Sequence, residues 1–206
     1  NMLEIEVTVQ NQTAKKAEIQ LQGDIREWMN RAGTDINSAP VPDWTLGNEA
    51  LSVAPAKVSV AAGTSQKVTL QVPVGKDVLK YWTPEHPNLY ALLLSVKNQK
   101  QAVDTKYERF GWTLQGTTQC LNGEPYALHG DSWHFMGIPQ MTRRYAWAWF
   151  TAIKGMNANA VRPHAQVYPR FYLDMADEMG ICVLNETANW ASDGGPKLDS
   201  DLFWET

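Results

Sequence analysis

Residues 142–184 read TRRYAWAWFTAIKGMNANAVRPHAQVYPRFYLDMADEMGICVL, and this stretch decides the fold of the second half of the chain. Thr142 is of the type that caps helix N-termini, and Gly155 is of the type that ends helices. Between them, apolar residues recur at the spacing of one helix face: Ala146, Trp149, Phe150 and Ile153. The pattern therefore predicts an amphipathic helix that ends near Gly155.

A second helix is predicted from Pro169 to Met179, with Gly180 as its stop. The runs Ala158–Arg162 and Ile181–Leu184, which flank it, are short and apolar in the way of buried strands. Counted from a strand at His129, the order is strand, helix, strand, helix, strand. This order indicates a parallel sheet or a barrel.

The first half of the chain alternates apolar and polar residues with period two. The alternation appears in six segments: Leu3–Val9, Ala17–Leu21, Val58–Val60, Val68–Val72, Leu92–Val96 and Val103–Arg109. Short strands separated by polar turns predict an antiparallel β-sandwich, for which an immunoglobulin-like topology is the usual solution at ~100 residues.

Two connecting segments give more local signals. Gly23–Ala50 does not alternate, so it is predicted to be a long connection with a short helix near Ile25–Met29. Asn122-Gly123 between two strand-like runs predicts a tight hairpin, because both positions tolerate positive φ. The boundary between the sandwich and the strand–helix region is expected near Gly111–Gly116.

Composition excludes several classes of function. The net charge is −4 without a basic patch, which argues against nucleic acid as a partner. No apolar run approaches the ~18 residues that span a membrane. The four histidines are scattered and Cys-x-x-Cys is absent, so no metal or other cofactor is expected. The sequence leaves cytoplasmic and extracytoplasmic locations open.

Four segments, taken in order, resemble glycoside hydrolase family 2, the group of β-galactosidases, β-glucuronidases and β-mannosidases. They are Tyr81–Tyr90 (YWTPEHPNLY), Arg109–Trp112 (RFGW), Leu121–His134 (LNGEPYALHGDSWH) and Met156–Glu186, which contains NANAVR and DEMGICVLNE. The resemblance implies a multi-domain β plus α/β chain. Residues 1–112 would form an immunoglobulin-like β-sandwich, and residues 113–206 the first part of an incomplete (β/α)8 TIM barrel.

The resemblance also implies a reaction. Retaining enzymes of this kind cleave β-linked sugars with two carboxylates ~5–5.5 Å apart. In the family these are glutamates on the fourth and seventh barrel strands, whereas this chain is expected to reach only the third strand. The chain is therefore expected to be an inactive fragment of a glycosidase, with the acid/base and the nucleophile beyond its end.

On this interpretation, the chain carries some of the residues that line the bottom of the substrate-binding site. The resemblance gives His134 a sugar-hydroxyl contact and Arg162 a place beneath the nucleophile, which it keeps ionised. In the loop after Arg162, either His164 or Gln166 is expected to reach the substrate. Glu186 is expected to bind sugar, to support another residue, or to form a salt bridge at the edge of the sheet. Trp190 is a candidate sugar platform or a plug of its loop.

An alternative of a different class is a non-catalytic carbohydrate-binding or scaffolding sandwich. A shallow aromatic patch built from Trp28, Trp44 or Trp82 would favour it, since aromatic faces stack on sugars. For the glycosidase fragment, a further expectation is self-association, strand exchange or disorder of the C-terminal part, because three parallel strands that do not close a barrel leave unpaired edges.

Overall fold

The computed structural model describes residues 1–30, 45–98, 101–114, 120–134 and 137–186. The chain divides into two compact units. Within the described residues, the first unit comprises 1–30, 45–82, 88–98 and 101–114, and the second comprises 83–87, 120–134 and 137–186.

The first unit is an antiparallel sandwich of two sheets. Its strands are β1 (Met2–Gln10), β2 (Ala17–Met29), β3 (Thr45–Val60), β4 (Ser65–Pro73), β5 (Leu89–Asn98) and β6 (Gln101–Gly111). One sheet is the pair β1-β4, and the other has the order β3-β2-β5-β6. All six segments in which the sequence alternates are strands, which confirms that part of the prediction.

Apolar side chains from both sheets pack between them, and they form a large core cluster beside a smaller one around Leu21, Val58 and Val60. The buried members of the large cluster are Ile5, Ile25, Val53, Leu70, Val72, Val74, Leu79 and Tyr90. Full burial of a side chain of this size stabilises the fold by about 1.5–3 kcal/mol relative to exposure. The alternation of the sequence therefore has its physical cause in this core, because only every second residue of each strand reaches it.

The predicted helix at Ile25–Met29 is wrong. Strand β2 continues through these residues, and β3 already begins at Thr45. The register between the two strands shifts after Leu21 and again on both sides of Arg26. At each shift the extra residue lies on β3, whereas β2 pairs with β5 in one unbroken register. Strand β2 therefore keeps its period of two, and the apolar signal fails because Gly23 and Glu27 occupy alternate positions on either side of Ile25. The rest of the predicted connection, residues 31–44, lies outside the described residues.

The second unit carries a small parallel sheet with two helices. Its elements are β7 (Cys120–Leu121), β8 (Glu124–Pro125), β9 (Gly130–Trp133), a 3-10 turn (Ile138–Gln140), α1 (Arg143–Gly155), β10 (Ala160–Pro163), α2 (Arg170–Met179) and β11 (Cys182–Val183). Strands β9, β10 and β11 are parallel and lie in the order β11-β10-β9. The predicted order of strand, helix, strand, helix, strand is thus confirmed.

Local signals set the ends of these elements. The Thr142 hydroxyl accepts a hydrogen bond from the Tyr145 backbone N–H (3.2 Å) and caps α1. Gly180 ends α2 in the left-handed conformation with φ 71°. Asn122 and Gly123 have φ values of 55° and 86°, so the β7–β8 hairpin has the two positive values that its sequence predicted.

One face of the parallel sheet is covered by the helices. Val161 of β10 and Trp133 of β9 pack there with Phe150 of α1 and Tyr172 of α2, and Phe150 and Tyr172 are fully buried. Because side chains alternate across a strand, Arg162 projects from the other face of β10. The core thus fixes the direction in which the candidate functional residues point.

Candidate functional site

The candidate site lies at the C-terminal edge of the parallel sheet, meaning the residues that follow the carboxyl ends of β9, β10 and β11. His134 directly follows β9, His164 directly follows β10, and Glu186 comes three residues after β11. Parallel strands end at a common edge, so residues distant in sequence meet there. In the register of the sheet, Arg162 lies beside Ser132.

Glu186 is bound through both of its carboxylate oxygens. Oε1 accepts a hydrogen bond from Arg162 Nε, and Oε2 accepts one from the Ala165 backbone N–H (2.7 Å). Arg162 Nη1 also donates to Ser132 Oγ (3.0 Å). The Ala165 N–H and the Arg162 guanidinium both hold the pKa of Glu186 below its ordinary value. The carboxylate therefore stays charged, and the ion pair intact, at pH values where a free glutamate begins to protonate.

The two predicted histidines form a pair. The ring centroids of His134 and His164 are 4.5 Å apart, and their planes are tilted by 36°. The His164 backbone N–H donates to the Trp133 carbonyl (2.9 Å), which ties the end of β10 to the end of β9. His134 is exposed and His164 is half-buried. Neutral imidazoles can both donate and accept hydrogen bonds, which suits sugar hydroxyls.

Gln166 and Trp190 are the two remaining residues that the sequence predicted for the site. Gln166 lies in the same turn as His164 and is half-buried. Trp190 lies outside the described residues. Sequence reasoning missed Ser132, although its position two residues before His134 on a strand puts it on the face of Arg162. It also missed Ala165, whose φ of 50° no sequence pattern announces.

Asn159, the second asparagine of the NANAVR segment, has a structural role. Its Oδ1 accepts from the His129 backbone N–H (2.8 Å), and its Nδ2 donates to the Ala127 carbonyl (2.9 Å) and to the Tyr126 hydroxyl (2.8 Å). The side chain fastens the segment that enters β9 to the start of β10. A Cβ on Gly130 would lie 2.1 Å from the Ala160 carbonyl oxygen, so the two strands need glycine there.

The aromatic patch that would favour a sugar-binding sandwich does not form from Trp28 and Trp82. Trp28 is 9% exposed and Trp82 is half-buried, and both pack with Leu89 and Ala91. The guanidinium of Arg109 lies 5.2 Å above the Trp28 ring. Trp44 lies outside the described residues.

Within the described ranges, no three His, Cys, Asp or Glu side chains come together in a way that could hold a metal ion. None of the helices in the described part of the chain is long and apolar enough to cross a membrane.

Several known proteins are similar to this chain. A putative β-glucuronidase of Formosa agariphila is 33% identical over 114 residues, which are 52% of this chain and 11% of that protein. A β-galactosidase of Priestia megaterium is 27% identical over 142 residues, 65% of this chain and 14% of that protein. The chain thus spans about a tenth to a seventh of the curated relatives it matches.

Solved structures show the same fold. A β-glucuronidase of Bacteroides uniformis superimposes with a TM-score of 0.68 at 24% identity, over 91% of this chain and 21% of that one. A β-galacturonidase of Eisenbergiella tayi gives a TM-score of 0.67 at 20% identity, over 90% of this chain and 30% of that one. At these identities the likeness concerns the fold alone.

A protein-family model shows membership in a family as well as a fold. The family model described as "Glycosyl hydrolases family 2" matches residues 2–112, which is more than half of the chain. The matched range covers the whole sandwich, from β1 through the end of β6. The chain belongs to glycosyl hydrolases family 2.

Proposed function

We propose that this chain is part of a retaining glycoside hydrolase that acts on β-linked sugars. Residues 1–112 form its immunoglobulin-like sandwich, and residues 113–206 form the first part of its (β/α)8 barrel. The family membership and the paired Arg162 and Glu186 at the C-terminal edge are the observations that carry this proposal.

Tyr90 supports the immunoglobulin-like assignment. It lies at the start of β5, and its hydroxyl accepts a hydrogen bond from the Lys80 backbone N–H (2.7 Å), ten residues earlier in the chain. A tyrosine at the start of a late strand, bonded back to the preceding connection, is a hallmark of this fold.

The barrel assignment rests on the second unit. Two helices cover one face of a parallel sheet, and Arg162 projects from the other face, which would be the interior of a barrel. Barrel enzymes carry their chemistry at the C-terminal ends of the strands. His134, Arg162, His164 and Gln166 all lie there, and we assign them to the floor of the sugar site, with Trp190 as a further candidate platform.

The catalytic carboxylates are proposed to come from outside residues 1–206. In the part of the chain that the structure describes, Glu186 is the carboxylate that follows the end of β11, and its two oxygens accept hydrogen bonds from Arg162 and Ala165. A nucleophile needs a free oxygen, and a general acid needs a raised pKa, whereas the pKa of Glu186 is lowered. Glu186 therefore fits neither role.

One feature favours the carbohydrate-binding alternative. The first unit carries a groove of about 520 Å³. It is lined in part by polar and aromatic side chains of β2, β3, β5 and β6, among them Gln22, Ser52, Ser95, Thr105 and Tyr107. Tyr107 is 46% exposed and its ring stacks on Trp28, so it could also offer a sugar a flat face. The two proposed sugar sites lie on different units.

Histidine labelling reports on the candidate site of the second unit, because the chain has only four imidazole rings to assign. We expect titration with methyl β-glycosides to shift the NMR signals of His134 and His164, with those of His86 and His129 as internal references. His164→Ala should abolish the response and Tyr107→Ala should preserve it. If calorimetry shows binding that leaves the His134 and His164 signals unshifted, survives His164→Ala and is lost in Tyr107→Ala, the sandwich alternative is favoured.

Self-association is a second expected property. Among the described residues, β9 and β11 each pair with β10 and have no neighbour on the other side. Unpaired strand edges recruit strands from other chains. Light scattering coupled to gel filtration should therefore give an apparent mass that falls as the protein is diluted. A monomer at all concentrations, with the second unit still ordered by hydrogen exchange, would contradict this expectation.

A further inference from the structure

We propose that Glu186 is a positioning residue: it fastens Ala165 to Arg162 and thereby holds His164 against His134. This inference deepens the proposed function and rests on it, because the histidine pair is what that proposal assigns to sugar binding. Glu186 itself would then not contact the sugar.

Glu186 connects two neighbouring strand ends and a turn. Arg162 belongs to β10, and Glu186 follows β11, so their ion pair ties together the ends of two neighbouring strands. The second oxygen of the same carboxylate reaches the backbone N–H of Ala165, in the turn after β10 (2.7 Å). One side chain thus fixes a functional arginine and the adjacent turn at the same time.

The backbone of Ala165 is strained. Its φ of 50° lies in the left-handed region, which crowds the Cβ of an alanine and costs free energy. Such a conformation persists only where surrounding contacts impose it. The hydrogen bond to Glu186 is a contact of that kind, and it is strengthened by the charge of the carboxylate.

The backbone of Ala165 is directly connected to the histidine pair. His164 immediately precedes Ala165, and its own backbone N–H is bound to the Trp133 carbonyl (2.9 Å). The turn is therefore held on one side by β9 and on the other by Glu186. With both anchors in place, the His164 ring lies 4.5 Å from that of His134. Loss of the Glu186 anchor should let Ala165 relax and carry His164 away.

The experiment uses the 206-residue chain with isotope-labelled histidine. Aromatic rings in close contact shift each other's NMR signals, so His134 and His164 report their own proximity. Glu186→Ala should abolish this mutual shift and leave the signals of His86 and His129 in place. Glu186→Gln keeps an acceptor for the Ala165 N–H without the charge, and should give an intermediate loss.

A matched control removes a different carboxylate–arginine pair. Asp174 pairs with Arg170 on α2 (3.1 Å), so Asp174→Asn should leave the mutual shift of His134 and His164 unchanged. If all four histidine signals collapse in Glu186→Ala, the variant has unfolded, and Glu186→Gln then decides the question. A mutual shift that survives in both Glu186 variants would overturn the proposal.

A second substitution at Ala165 distinguishes a positioning role of Glu186 from a general structural role. Glycine takes positive φ without steric cost. Ala165→Gly in the Glu186→Ala background should therefore restore part of the mutual shift between His134 and His164. A purely electrostatic or packing role of Glu186 would not respond to this change in the backbone, and a double variant as defective as Glu186→Ala alone would contradict the proposed route.

Sugar titration of the same proteins keeps the two proposals apart. Glu186→Ala should weaken glycoside binding about tenfold, the size of one charge-assisted hydrogen bond lost indirectly. If the unsubstituted chain binds no glycoside while Glu186→Ala still separates the histidines, the proposed function fails and the positioning role stands. If the unsubstituted chain binds glycoside and the variants keep the histidine pair, the positioning role fails and the function stands.

Discussion

Replacement of Phe150 by alanine is expected to lower the free energy of unfolding of the second unit by about 3–5 kcal/mol. Phe150 is fully buried between α1 and the rest of its core, and its ring meets Tyr172 edge-on at 5.9 Å. The substitution removes the apolar contact and leaves a cavity that a close-packed core cannot fill. Urea unfolding, followed by tryptophan fluorescence, measures the loss.

Thr151→Ala is the control for this prediction, since Thr151 is the next residue of α1 and is exposed. Surface substitutions of this kind change stability by about 0.5 kcal/mol or less. If Phe150→Ala cost no more than Thr151→Ala, helix α1 would not be packed as described.

Replacement of Gly180 by alanine is expected to cost about 2–4 kcal/mol, through two separate effects. The residue has φ 71°, which alanine adopts only with strain. In addition, a Cβ there would lie 2.2 Å from the Pro84 carbonyl oxygen, a backbone atom that cannot rotate away. Thermal unfolding of the second unit, monitored by circular dichroism, should show a correspondingly lower midpoint.

Gly155 offers a matched control, because it is the last residue of α1 and a Cβ there would meet no atom within 4 Å. Gly155→Ala should be neutral or stabilise the helix by up to about 1 kcal/mol. If Gly180→Ala and Gly155→Ala lowered the unfolding midpoint equally, neither the left-handed conformation of Gly180 nor its contact with Pro84 would contribute to stability.

The helices were predictable from sequence because their signals are local. Thr142 caps α1 and Gly180 ends α2, and between caps the apolar residues keep helical spacing. Strand β2 was only half predictable, because Gly23 and Glu27 stand at alternate positions after Leu21 and interrupt the apolar signal. The part of β3 that precedes Val58 was not predictable, because three bulges on it shift its register against β2. A bulge depends on pairing with another strand, and no single strand's sequence contains that information.

The candidate site was predictable in its members and not in its contacts. His134, Arg162 and Glu186 each follow or end a predicted strand, which is enough to place them at one edge. The ion pair of Arg162 with Glu186 joins residues 24 positions apart, and its second bond goes to a backbone N–H. The left-handed Ala165 that this bond holds follows from tertiary contacts alone.

The most direct test of the account is hydrolysis of a panel of nitrophenyl β-glycosides, galactoside and glucuronide included. The 206-residue chain would be assayed beside a version extended through a complete barrel. We expect the extended protein to cleave one β-glycoside and the 206-residue chain to cleave none, because the two catalytic carboxylates are proposed to lie outside residues 1–206. Cleavage by the 206-residue chain would contradict that placement and would give Glu186 a role in the chemistry, whereas no cleavage by either protein would contradict the glycosidase itself.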